Sequence, residues 1–210
     1  MTRSKIETDL FKACTDYKNI IKMITEDNIF STRNENLPKI IESYVSFYNQ
    51  FVQNNNLEFI VPTDNHYFNI ISTVHKLYPV NYYNKEIITS KWLMRVCIEE
   101  SLYFDKIFIL IGKNFNFRKW INSYISLLKT YKKNPTLKII QSLEQDFVWR
   151  AHLQNNTRYM KDTISYTKNI VDYNCEINKF YFDRIYFTNN KKKSKYCSLS
   201  SDSVTEIIIN

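Results

Sequence analysis

Glycine is almost missing from this chain: of 210 residues, only Gly112 is glycine. Loops that cradle phosphate need glycine so that the backbone can approach the ligand closely, so nucleotide-binding loops of that kind are excluded. The same shortage argues against a tightly turned β-sandwich or a doubly wound α/β fold. The four cysteines, Cys14, Cys97, Cys175 and Cys197, include no Cys-x-x-Cys pair. A zinc ribbon or a thioredoxin-type motif is therefore not indicated. The first residues, Met-Thr-Arg-Ser-Lys, are followed by no apolar stretch of the signal-peptide type. The most apolar run, 92–111, holds Arg95, Glu99, Glu100, Asp105 and Lys106, too many charges for a membrane span. The expectation is an intracellular protein, cytoplasmic rather than secreted, with free thiols.

What is present is a helical pattern. Hydrophobic content of 44% and charged content of 24% are ordinary for a globular protein, and the length suits one sizeable core or two small fused units. Ser4 and Glu7 fit a capping box. Behind them Ile6, Leu10, Cys14, Tyr17, Ile21 and Ile24 recur at helical spacing, predicting a helix to about Glu26. A polar connection is expected over 28–38. A second helix is marked by Ile40, Tyr44, Phe47, Tyr48 and Phe51, and a third runs to His75. Thr89 or Ser90 starts a long apolar helix, with Gly112 expected to end it in the left-handed conformation. Trp120, Tyr124, Leu127, Leu128 and Tyr131 stripe the next helix, which Pro135 closes. Two further pieces follow, at about 142–153 and 157–170. Beyond Asn174, Phe180, Phe182, Ile185 and Phe187, and then the run from Val204 to Ile209, have β character. The expected fold is mainly α, a helical domain over 1–175 built from two related halves. A short β-containing or irregular extension over 176–210 carries a basic run.

The halves come from an internal repeat, about 40–85 and 118–163. Ser43-Tyr44-Val45-Ser46 answers Ser123-Tyr124-Ile125-Ser126, and His75 with Tyr82 answers His152 with Tyr159. Aligning the histidines places Asn69 against Asp146, Ser72 against Trp149 and Thr73 against Arg150. The second copy keeps more polar chemistry: Asp146, Trp149, Arg150, His152, Tyr159 and Asp162 lie within a short stretch. Sixteen Tyr and fourteen Phe are also what an AT-rich coding sequence yields, so aromatic content alone carries no functional inference.

The second copy resembles the signature of the glycine-rich-domain-protein-like (GRDP-like) family, a family of unknown function. That signature has the form Pro-x-x-x-x-Asp-x-x-Trp-His-x-His-x-Leu-x-Pro-x-x-Tyr-x-x-Asp-Cys. Asp146, Trp149, His152, Tyr159 and Asp162 match it in order and spacing, and His75, Leu77, Pro79 and Tyr82 match its centre in the first copy. Arg150 stands in place of the first His, Gln154 of the Leu, Asn156 of the Pro and Thr163 of the Cys. The resemblance spans roughly residues 40 to 175. It implies an interaction or scaffold module without an assigned activity, and the glycine-rich regions of some members have no counterpart here.

Three chemistries are open to the polar set. His152 could be a general acid or base beside Trp149 and nearby carboxylates. It could instead line a binding site. The favoured reading is a buried joint: one ring nitrogen on a backbone carbonyl, the other on Tyr159 or Asp162, fixing the angle between two helices. Asp146 and Arg150, four apart, are placed to form an ion pair. A metal site from His75, His152, Asp146 and Asp162 would need the copies to face each other, and Arg150 puts a cation where a ligand would sit. No metal and no cofactor are expected.

Basic charge gives the alternative function. The formal net charge is +8, and from Asp105 to Lys138 eight Lys or Arg face one Asp. Lys119, Lys129, Lys132 and Lys133, with Lys191, Lys192 and Lys193 of the extension, are the candidate contacts for RNA or single-stranded nucleic acid, which needs cations and stacking rings. Trp120 and Tyr131 lie on the apolar stripe, so weak, charge-driven binding is expected. The leading expectation is a non-enzymatic module whose partner is another protein.

Overall fold

The computed structural model describes residues 5–54, 66–78, 86–112, 116–135, 139, 141–171 and 173. Among these the fold is mainly helical, with seven helices and no strand. They are α1 (Lys5–Glu26), α2 (Leu37–Gln53), α3 (His66–His75), α4 (Ser90–Gly112), α5 (Phe117–Lys133), α6 (Leu143–Leu153) and α7 (Asn156–Thr167). The Ser4 cap, Pro79, Tyr82, Cys175, Cys197, Lys191, Lys192, Lys193 and the expected extension lie outside the described residues.

The α1 stripe buries Ile6, Leu10, Cys14, Tyr17, Ile21 and Ile24, the positions its periodicity marks. Helix α1 packs on α4, α5 and α6. Around it α2, α3 and α4 contact one another, and α5, α6 and α7 do the same. Helix α6 is the innermost: every residue from Gln145 to Leu153 is buried. A helix enclosed on all sides normally reads as apolar all round. This one carries Gln145, Asp146, Arg150 and His152, each of which must find an internal partner.

Local chemistry sets the helix ends. Thr89 Oγ1 accepts the Trp92 N–H at 3.2 Å at the start of α4. A reciprocal capping box opens α6: Ser142 Oγ accepts from the Gln145 N–H at 3.3 Å, and Gln145 Oε1 accepts from the Ser142 N–H at 2.9 Å. The Gln145 amide also donates to Ser123 Oγ at 3.0 Å, tying this start to α5.

Three boundary expectations need correction. Gly112 is the last residue of α4 but has no positive φ, so it does not serve as a left-handed cap. That conformation falls instead on Asn28 (φ 49°) and on Lys168 (φ 71°), which caps α7 three residues before the expected end. The link before α2 is not simply polar. It buries Ile29 and Phe30, and α2 begins at Leu37 with Pro38 in its first turn, where a missing N–H costs nothing.

Candidate functional site

The joint between α6 and α7 gathers most of the singled-out residues. Trp149 Nε1 donates to Tyr159 Oη at 3.0 Å, and that hydroxyl donates onward to the Val171 carbonyl. His152 Nε2 lies 3.3 Å from Asp162 Oδ2, and Nδ1 lies 3.1 Å from Tyr124 Oη on α5. An ionised carboxylate only accepts, so Nε2 carries the proton and, in the neutral ring, Nδ1 accepts from the Tyr124 hydroxyl. Asp162 Oδ2 also accepts from Arg158 Nε at 3.2 Å, and Arg158 pairs with Asp9 of α1. The His152 hydrogen bond, with Arg158 helping against partial burial, holds the Asp162 carboxyl below the usual carboxylate range. The contacts of His152 differ from the expected joint at Nδ1. Tyr124, rather than a backbone carbonyl, occupies Nδ1, because Tyr159 and the Val171 carbonyl are engaged with each other and with Trp149.

One turn earlier on α6 lies a buried charge cluster. Arg150 Nε donates to Asp146 Oδ2 at 2.8 Å, the pairing their spacing predicts, and Nη1 donates to Glu100 of α4. Tyr173 Oη donates to Asp146 Oδ1 at 2.8 Å, and the Gln141 amide does so at 3.3 Å. Tyr78 Oη donates to Glu100 Oε1 at 3.0 Å. The guanidinium carbon sits 3.8 Å from the centre of the Tyr103 ring, within the range of a cation–π contact. Burial opposes the charge on Arg150, but Asp146 and Glu100 outweigh it and hold the guanidinium protonated. Burial pushes the Tyr103 and Tyr173 hydroxyls up, with the Arg150 cation opposing it and the Asp146 carboxylate adding to it.

The first half holds a similar contact. Tyr44 Oη lies 2.9 Å from His75 Nδ1, as Tyr124 does from His152. The rings of Tyr48, at 4.6 Å, and Trp92, at 6.1 Å, stand edge-on to the imidazole. Burial, with the cation of Lys76 adding to it, lowers the pKa of His75 to about 3. Thr73, aligned with Arg150, donates its hydroxyl to the Asn69 carbonyl of its own helix at 2.9 Å. The Gln154 amide reaches the Thr73 carbonyl at 3.3 Å, so the end of α6 meets α3 close to both histidines in sequence. Among the described residues no three His, Cys, Asp or Glu side chains gather as a metal site requires.

Lys119, Lys129, Lys132 and Lys133 are exposed on α5. The rings a nucleic-acid reading would use are engaged elsewhere: Trp120 is buried, and Tyr131 stacks edge-on to Trp149 at 5.8 Å. Gln141, Gln145, Glu100, Tyr103, Tyr78 and Tyr173 are network members that sequence reasoning did not place at the site, and Tyr44 and Tyr124 entered that reasoning only as repeat and stripe positions. Two left signals: the Ser-x-x-Gln spacing of the capping box, and a carboxylate, Glu100, on the apolar stripe between Val96–Cys97 and Tyr103–Phe104. Around α6, Asp146, Trp149, Arg150, His152, Tyr159 and Asp162 each have a hydrogen-bond partner within the protein. Comparison with protein-family models, with curated proteins and with solved structures finds no match for this chain.

Proposed function

We propose that this chain is a non-catalytic intracellular interaction module of the GRDP-like type, in which the motif residues lock the scaffold and the exposed helix faces meet the partner. The observation that carries this reading is where the motif falls. Of the five residues of the resemblance, Asp146, Trp149, His152 and Tyr159 are buried and Asp162 is half-buried, each is hydrogen-bonded to a neighbouring protein group, and His152 is 3% exposed. Fixed spacing is what such a network requires, because every buried donor and acceptor must be satisfied at once. The paired contacts Tyr44–His75 and Tyr124–His152 support the further reading that the two halves are related copies. An RNA- or single-strand-binding role takes second place. It draws on the exposed lysines of α5 and lacks free rings among Trp120, Tyr124 and Tyr131.

Chemical denaturation of His152→Ala tests the proposal. The loss expected from stranding the partners of a buried polar group is about 1 to 3 kcal/mol. A variant of unchanged stability would return His152 to solvent-facing chemistry and remove the support for a locked scaffold.

A further inference from the structure

The outer face of α5 is a surface of one sign. Its sequence carries Arg118, Lys119, Lys129, Lys132 and Lys133 and no carboxylate, and all five cations are exposed. At 3.6 residues per turn they fall, with Asn122 and Ser126, within an arc of about 140°. The rest of the circumference buries Trp120, Ile121, Tyr124, Leu127 and Leu128, and Ile125, buried as well, falls within the basic arc between Lys132 and Arg118. Among the described residues no ion pair engages Lys119, Lys129, Lys132 or Lys133. Glu7 of α1 stands near Arg118 at the rim of an open depression of about 230 Å³.

The placement of these cations is not what the fold's own stability would choose. Lys132 and Lys133 lie in the last turn, where the helix dipole favours positive charge. Arg118 and Lys119 lie in the first turn, where the dipole disfavours it and the helix itself carries no acid, though Glu7 of α1 lies near Arg118. The first turns of α6 and α1 carry acids, Glu144 with Asp146 and Glu7, while those of α2, α3, α4 and α7, like that of α5, carry none.

We propose that the exposed face of α5 docks an acidic segment of a partner protein. Its carboxylates would meet Arg118 and Lys119 at one end and Lys129, Lys132 and Lys133 at the other, a span of about 22 Å. The proposal rests on the interaction-module reading and names the partner's chemistry. Charge complementarity selects an anion. The rings of Trp120, Tyr124 and Tyr131 are committed inward, so α5 presents polar side chains with no aromatic platform for bases. That favours carboxylates on a polypeptide over a nucleic-acid strand.

The test uses the full chain, a fluorescently labelled poly-glutamate peptide and a labelled oligothymidine of matched charge, titrated at low and at physiological salt. Wild type is compared with Arg118→Glu/Lys119→Glu and with Lys129→Glu/Lys132→Glu/Lys133→Glu. The expected result is peptide binding that each reversal weakens at least several-fold. The first double variant should melt near the wild-type temperature, since its new carboxylates suit the helix start while Arg118→Glu adds repulsion from nearby Glu7. Tighter binding of the oligothymidine than of the peptide would make nucleic acid the occupant and overturn the proposal. Peptide binding that is absent, or indifferent to both reversals, would leave α5 a solvated face and overturn it as well. Either failure leaves the stability of His152→Ala as an independent test of the scaffold.

Discussion

A tyrosine hydroxyl meets Nδ1 of both His75 and His152, yet the two rings have different neighbours. His152 has the Asp162 carboxylate at its other nitrogen, with Arg158 and Asp9 beyond. His75 is walled by Tyr48 and Trp92, with Lys76 beside it. Its folded pKa, about 3, lies below the ordinary 6.5, so between those values the unfolded chain binds a proton that the folded one refuses. Its contribution to stability is therefore complete above pH 6.5 and is lost as pH falls toward 3, at up to about 1.4 kcal/mol per pH unit. Asp162, whose folded pKa is depressed, acts in the same direction but only below its ordinary 3.8. Urea unfolding from pH 7 to 4.5 should thus show falling stability, and His75→Phe should flatten the slope. An unchanged slope in that variant would contradict the burial of His75.

At the level of elements, the glycine shortage has a structural cost at the end of α7. Lys168 takes the left-handed conformation at φ 71°, its N–H bonded to the Ile164 carbonyl at 2.9 Å. A side chain with a Cβ is strained there. Lys168→Gly should relieve that strain and raise stability by about 0.5 to 1 kcal/mol net of glycine's entropy, read as a higher urea midpoint; a lower midpoint would contradict the strain. Amphipathic elements are legible in the sequence for a simple reason. Helix α1 has one wet face, so its apolar residues keep the helical period, and the stripe of α5 is read the same way. Helix α6 has no wet face. Its boundaries follow from Ser142 and from the break near Gln154, but its mixed composition carries no periodic stripe from which burial on every side could be read. The end conformations of α4 and α7 escape sequence reading because a rule about glycine has little to act on in a chain with one glycine.

Over the whole molecule, the contacts that join the halves run across sequence separations that local spacing does not encode. Arg150 reaches Glu100, 50 residues away, and Gln154 reaches Thr73, 81 away. Sequence spacing can pair Asp146 with Arg150 and His152 with Asp162, each within about three turns of helix. It cannot supply Glu100, Tyr124 or Tyr173, whose partners are set by how α4, α5 and the segment after α7 close around α6. A buried ion cluster of this kind adds little over an apolar core, but it is costly to break once formed, which suits a part that must hold one arrangement. If α6 is the locked centre of a scaffold, its polar hydrogens exchange with solvent only when the molecule unfolds. The most direct measurement is hydrogen exchange by NMR at the Trp149 indole N–H, compared with the global unfolding free energy from urea. The account predicts equal free energies for the two. Fast exchange at the indole, while the backbone amides of α6 stay protected, would mean that the Trp149–Tyr159 joint opens to solvent and would contradict the closed network.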